Sequence, residues 1–172
     1  NSTPYLEGDG TDDVMVVGGW DPPAPSSQSI IVYTVCSPVG NTTNDVFWCG
    51  QSSITLGLNQ GSGSTIRTRN STAANSNTMV NGSWYHTLVG FMGGTTDYNR
   101  VGASTITGAA TGVLNATVFH LFGCATTSLN FGAVRISEIA IWVGAAAGQD
   151  LTSTEKTNMA TYTTGRYGAG LV

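Results

Sequence analysis

The chain has 172 residues, of which 40% are hydrophobic and only 9% charged, and its net charge is −4. That length fits a single domain spanning 1–172 around one core, and the apolar content excludes a disordered chain. Six basic residues form no patch that would neutralise phosphates, so nucleic acid is not an expected partner; there is no polybasic stretch for anionic lipid and no apolar run near the ~20 residues of a membrane span. An average soluble protein is roughly one quarter charged. Here Ser, Thr, Asn and Gly take over the hydration of the surface, in runs such as 40–44 and 70–78. Such neutral surfaces are common on extracellular and virion-exposed β proteins. The first residue is Asn1 rather than Met, which points to a processed product or a segment of something longer.

Taken in order, short β-rich runs are cut by Gly, Asn, Ser and Pro clusters. Val14–Val17 is the first strand, broken by the proline-rich stretch 20–25, since proline lacks the ladder donor. Ser29–Val39 is long and β-branched. Asp45–Gln51, Ile54–Gln60 and Ser64–Arg69 follow closely and read as a meander. Trp84–Met92, Arg100–Ile106, Thr117–Ala125 and Val134–Val143 complete the set. In the last of these, alternation places Val134, Ile136, Ala140 and Trp142 on one face and Arg135, Ser137, Ile139 and Ile141 on the other. Its second half is apolar on both faces, as in a central strand. On the same periodicity Trp84 and Trp142 read as core. Leu151–Glu155 opens a helix capped by Thr152 or Ser153, with Glu155 where the helix dipole favours an anion. Gly165 and Gly168 end it, and Leu151, Met159, Tyr162 and Tyr167 dock it onto the sheets. About nine strands and one late helix predict an all-β fold, a two-sheet antiparallel jelly-roll sandwich with one short C-terminal helix.

Three cysteines, Cys36, Cys49 and Cys124, lack zinc-site spacing. If 29–39 and 45–51 form a hairpin, Cys36 and Cys49 face each other and a cross-strand disulfide is open to them. The alternative is that they are small buried hydrophobes.

Both ends of the chain resemble a known family. Leu6-Glu7-Gly8-Asp9-Gly10-Thr11-Asp12-Asp13-Val14 resembles the opening turn and strand of concanavalin A-like, laminin-G-like jelly rolls. Phe131 through Trp142 resembles that family's last strand. Leu151-Thr152-Ser153-Thr154-Glu155, followed by Tyr162 and Arg166-Tyr167-Gly168, resembles its closing helix, and Asn81-Gly82-Ser83-Trp84-Tyr85-His86 its "W-H" strand start. The resemblance implies a display or sugar-binding unit of the kind found in phage structural proteins and bacterial secreted or surface proteins. It therefore implies a place on a virion surface or outside a cell. The partners it implies are a larger assembly (capsid, tail or surface layer) or further copies of the chain, together with cell-surface glycans.

The chemistry-bearing residues sharpen that expectation. Glycanases of this fold carry paired carboxylates on one strand, whereas Glu7, Glu138 and Glu155 are far apart, and Glu138 is flanked at two positions by Ile136 and Ala140. Glu138 instead reads as a structural carboxylate accepting backbone or hydroxyl bonds. His86 and His120 lack nucleophile partners, and neither a Gly-x-Ser-x-Gly elbow nor a phosphate loop occurs. No catalytic residues are expected, and the domain is expected not to be an enzyme. Asp9, Asp12 and Asp13 form an acidic turn that either binds calcium, as laminin-G-like domains often do, or satisfies its own backbone amides. For glycan binding, which needs exposed rings beside polar groups, Trp20 and the 97–100 loop (Asp97, Tyr98, Asn99 and Arg100) are the candidates, with packing as the competing role for the rings. Five Asn-x-Ser/Thr sequons, at Asn1, Asn41, Asn70, Asn81 and Asn115, occur in a chain so rich in Ser and Thr that their number alone does not argue for glycosylation.

Overall fold

The computed structural model of the chain describes residues 4–17, 29–40, 46–49, 56–60, 65–70, 73–92, 96–109, 119–123 and 131–168. The strands of the described residues pair into two six-stranded antiparallel sheets. The first sheet runs in the order β1 (Leu6–Asp9), β12 (Ala133–Val143), β3 (Ile30–Pro38), β8 (Tyr85–Phe91), β9 (Thr96–Val101), β10 (Ser104–Ala109). The second runs β2 (Met15–Val17), β11 (Phe119–Leu121), β4 (Val46–Cys49), β5 (Leu56–Gln60), β6 (Thr65–Asn70), β7 (Ala73–Thr78). A single helix, α1 (Ser153–Tyr167), follows β12.

β3 shows why three layers form. All nine of its residues are buried, because alternation sends them two ways. Ile30, Val32 and Cys36 join the core between the sheets, with Trp48, Phe91, Phe119 and Val134. Ile31, Tyr33 and Val35 join a second apolar layer with Leu88, Met92, Met159 and Tyr167, beneath α1. Burial of each large apolar side chain contributes roughly 1.5–3 kcal/mol. A strand covered on both faces and rich in Ile and Val takes a central place. Gly132, just before β12, packs against the backbone of Val46 in β4; a Cβ on Gly132 would collide with the Val46 carbonyl.

Several sequence expectations change here. The 29–39 and 45–51 runs do not form a hairpin, since β3 and β4 lie in opposite sheets. Cys36 is a free, buried thiol and Cys49 is disulfide-bonded, so a Cys36–Cys49 bridge is ruled out; Cys124 lies outside the described residues. The stretch read as one strand over 100–106 is two strands, β9 and β10, joined at Gly102, whose φ of 56° suits glycine. The polar run 73–78 is a strand, β7, paired along its length with β6. Its lack of apolar alternation hid it, and that polarity suits an edge strand. Asn77 Nδ2 donates to the Ser104 carbonyl at 3.0 Å, tying the β7 and β10 edges together.

The register of β12 carries the change that matters most for function. Between Ile136 and Glu138 its pairing with β3 shifts by one residue, a β-bulge at Ser137. A single inserted residue inverts every later side chain. Val134 and Ile136 therefore face the inter-sheet core, and beyond the bulge Ile139 and Ile141 do so. Ala140 and Trp142 turn to the layer beneath α1. The expected shared face of Val134, Ile136, Ala140 and Trp142 is thereby split, and Trp142 is only half-buried.

Thr152 caps α1 in a full capping box: Glu155 N–H donates to Thr152 Oγ1 at 3.2 Å, and Thr152 N–H donates to Glu155 Oε2 at 2.7 Å. The Thr152 hydroxyl, donating to Glu155 Oε2 at 2.7 Å, and then the Thr152 N–H hold the Glu155 carboxyl below its ordinary pKa. The helix passes through Gly165 and stops at Gly168, with a φ of 79°. Its buried residue is Thr163, so packing from below, not its own amphipathicity, holds it. Tyr162, expected as a docking residue, is 45% exposed.

Candidate functional site

α1 crosses the outer face of the first sheet and leaves a groove of about 290 Å³ along its β12 side. The floor is Tyr33 of β3 with Ala140 and Trp142 of β12; the wall is Asn158, Met159 and Tyr162 of α1; Glu138 closes one end. Each contribution has a local cause. The bulge at Ser137 aims Glu138, Ala140 and Trp142 outward together. The three- and four-residue spacing of 158, 159 and 162 puts the helix residues on one side.

Glu138 is held by hydroxyls. Tyr162 Oη donates to both of its carboxylate oxygens at 2.9 Å, and Tyr167 Oη to Oε2 at 2.7 Å. Arg166 Nε lies 3.5 Å from Oε2. This clamp joins the last turns of α1 to β12. The pKa values of both tyrosines are raised, first by burial and then, for Tyr162, by donation to Glu138. Beneath the helix Thr163 Oγ1 donates to the Met159 carbonyl and meets Tyr33 Oη at 2.7 Å. Burial pushes the Tyr33 hydroxyl up to about 12. The groove thus presents three aromatic side chains (Tyr33, Trp142 and Tyr162), an amide and an anchored carboxylate, a combination suited to the faces and hydroxyls of a sugar ring.

The residues singled out from sequence fall elsewhere. Trp20 lies outside the described residues. Asp97, Tyr98, Asn99 and Arg100 sit on strand β9 and not in a loop. Asp97 and Asn99 are buried, and Asp97 Oδ1 accepts the Met92 N–H at 2.8 Å. Tyr98 is buried too, its hydroxyl donating to Asp150 at 2.8 Å. Arg100 alone of the four remains half-buried. The acidic turn closes on itself: Asp13 Oδ2 accepts the Asp9 N–H at 2.9 Å and Asp9 Oδ1 the Thr11 N–H at 2.7 Å. Asp9, Asp12 and Asp13 do not converge as calcium ligands, and no group of three His, Cys, Asp or Glu side chains among the described residues is placed to hold a metal. His120, buried on β11, lies with Nδ1 3.7 Å from Cys49 Sγ, a sulfur that as part of a disulfide has no proton to give. Glu138, Asn158, Trp142 and Tyr162 were absent from the sequence-based sugar site. The extra residue at Ser137 leaves no local mark in an alternating run, whereas the shared side of Asn158 and Tyr162 was readable from helical spacing.

No family model and no curated protein matches the sequence. Solved structures do superpose on it. Mouse laminin α1 chain, domains LG4-5, matches with a TM-score of 0.50 at 11% identity over 86% of this chain and 46% of that one. The fold is a concanavalin A-like, laminin-G-like β-sandwich. Trypanosoma rangeli sialidase in complex with sialic acid matches with a TM-score of 0.64 at 14% identity, over 96% of this chain and 28% of that one. The same sialidase with the inhibitor DANA gives 0.55 at 17% identity over 88% and 26%. This laminin-G-like chain thus spans about a quarter of the sialidase chains it matches. These matches overturn the expectation that the domain is not an enzyme: the solved structures it superposes on include sialidases, which are enzymes, over 26–28% of their chains. No helix among the described residues is long and apolar enough to cross a membrane.

Proposed function

We propose that this laminin-G-like domain is a carbohydrate-binding, adhesive module and that its ligand seats in the groove beside α1. One observation carries the reading: Trp142 and Tyr162 share an open groove of about 290 Å³ with Glu138 and Asn158. A pyranose offers an apolar C–H face to a ring and hydroxyls to carboxylate and amide acceptors. Glu138 is already oriented by two tyrosine hydroxyls, so its remaining lone pairs are presented without further ordering cost. The sialic acid held by one of the superposing sialidases supports a glycan as the ligand class.

The setting belongs to the same proposal. The disulfide at Cys49 supports an oxidising compartment, hence a place outside a cell or on a virion. The exposed apolar β2 residues Met15, Val16 and Val17, with Tyr5 and Leu6 at the matching edge of the first sheet, support attachment to a protein of the assembly that carries the domain. Stoichiometric recovery of the chain in purified particles supports the virion placement, and its absence from them removes that placement.

A glycan array followed by calorimetry tests the site. The expected result is saturable binding that weakens about tenfold or more in Trp142→Ala and several-fold in Asn158→Ala, an exposed position whose change leaves the packing intact. An array without hits, or undiminished affinity in both variants, removes the reading.

A further inference from the structure

On the other side of α1, away from the groove, a small cavity of about 20 Å³ lies between the helix and strands β8 and β9. It holds about one water-sized group. Tyr33, His86, Leu88, Arg100, Lys156 and Thr163 are among the side chains that line it. Three of these, from three different elements, are nitrogen donors, and no carboxylate lines the cavity.

Each of the three has a different account. Arg135, Lys156 and Arg166 pair with Glu7, Asp150 and Glu138 respectively. Among the described residues with placed side chains, Arg100 is the basic one without a carboxylate partner. Its Nε donates to the Gly102 carbonyl at 2.9 Å, a bond that leaves the charge unneutralised. A half-buried cation in that position gains from a counter-ion. His86 Nδ1 is buried without a hydrogen-bond partner. Lys156, ion-paired with Asp150, stands with Nζ 5.0 Å from the centre of the Tyr98 ring, and it closes the cavity from the helix side.

We propose that Arg100, His86 and Lys156 form a binding site for an oxyanion, a carboxylate or sulfate group, on the flank of α1 opposite the glycan groove. One oxygen of the anion enters the cavity and meets the guanidinium and imidazole; the rest stays at the open mouth beside Lys156. Without an anion, burial and then the nearby Arg100 charge depress the His86 pKa. The other titratable groups around it are the Tyr33 hydroxyl on β3 and, beyond Lys156, Asp150 and Tyr98. The anion offsets the Arg100 charge, so its binding raises the His86 titration midpoint, and by linkage affinity rises as pH falls through that midpoint.

The test is an NMR titration of the intact chain with sodium sulfate at constant ionic strength, with chloride as the competing salt. The expected result is a saturable shift of the His86 ring signals, on the order of millimolar affinity, while the buried His120 ring stays still. Arg100→Gln should weaken binding about tenfold, and Lys156→Gln, at the helix surface, several-fold. Acetate and glucuronate run as further arms. Equal affinity for the two assigns the site to free anions, and a preference for glucuronate assigns it to an acidic sugar; either supports the site. An absent or non-saturating shift, or one unchanged in both variants, overturns it. Because the readout is a free anion at His86, it can fail while neutral glycan binding at Trp142 stands, and the reverse.

Discussion

The two faces of the first sheet are built from the same strands but do different work. On the inner face β3, β8 and β12 meet the second sheet through apolar side chains such as Val32, Val89 and Val134. Across from them Trp48 stacks on Phe119 with ring centroids 5.6 Å apart and meets Phe91 edge-on at 6.1 Å. On the outer face the same strands meet one helix, and hydroxyls thread the apolar layer: Tyr33 to Thr163, Tyr98 to Asp150, and Tyr162 and Tyr167 to Glu138. Sheet against sheet closes a core. A single helix is narrower than a six-stranded sheet, so it leaves flanks uncovered, and the groove and the small cavity lie on those flanks.

That contrast breaks most sharply at Trp48. Trp48→Ala opens a cavity where no solvent reaches and should cost about 3–5 kcal/mol, enough to unfold a marginal domain; urea denaturation measures it. On the outer face the expected loss is smaller and local. Glu138→Gln removes the charged acceptor of two tyrosine hydroxyls and should cost about 1–3 kcal/mol. Amide exchange should quicken across α1 while β3 and β8 stay protected. If exchange rises equally in β3 and β8, the helix and the sandwich are one cooperative unit and the contrast fails.

The smallest effect concerns Tyr33. Loss of its hydroxyl in Tyr33→Phe should cost about 0.5–1.5 kcal/mol near neutral pH. Its raised pKa adds a pH signature. The unfolded chain loses this proton near pH 10 and the folded one at about 12. Between those values the unfolded state binds fewer protons, so stability falls as pH rises. Tyr33→Phe should flatten that part of the alkaline melting profile; an unchanged slope would show that the hydroxyl is not held as described.

Part of the candidate site was legible. The capping box at Thr152 and Glu155 is local chemistry, and it fixed where α1 begins. Glu138 read as a structural carboxylate accepting backbone or hydroxyl bonds, and the donors in the fold are tyrosine hydroxyls. Arg100 and its neighbours were named as a glycan-binding loop, whereas all four lie on strand β9, with Asp97, Tyr98 and Asn99 buried and Asp97 accepting the Met92 N–H. Trp142 was assigned to the core because alternation was carried straight through Ser137.

The amino-acid order alone determined the strand-rich sandwich, the capped final helix and the neutral, hydroxyl-covered exterior, because alternation, caps and composition act over a few neighbouring residues. Which strands pair, that Cys36 and Cys49 belong to opposite sheets, and which way Trp142 faces were decided only in the folded molecule. Those outcomes depend on partners far along the chain and on a one-residue bulge whose effect is felt across the whole face it inverts.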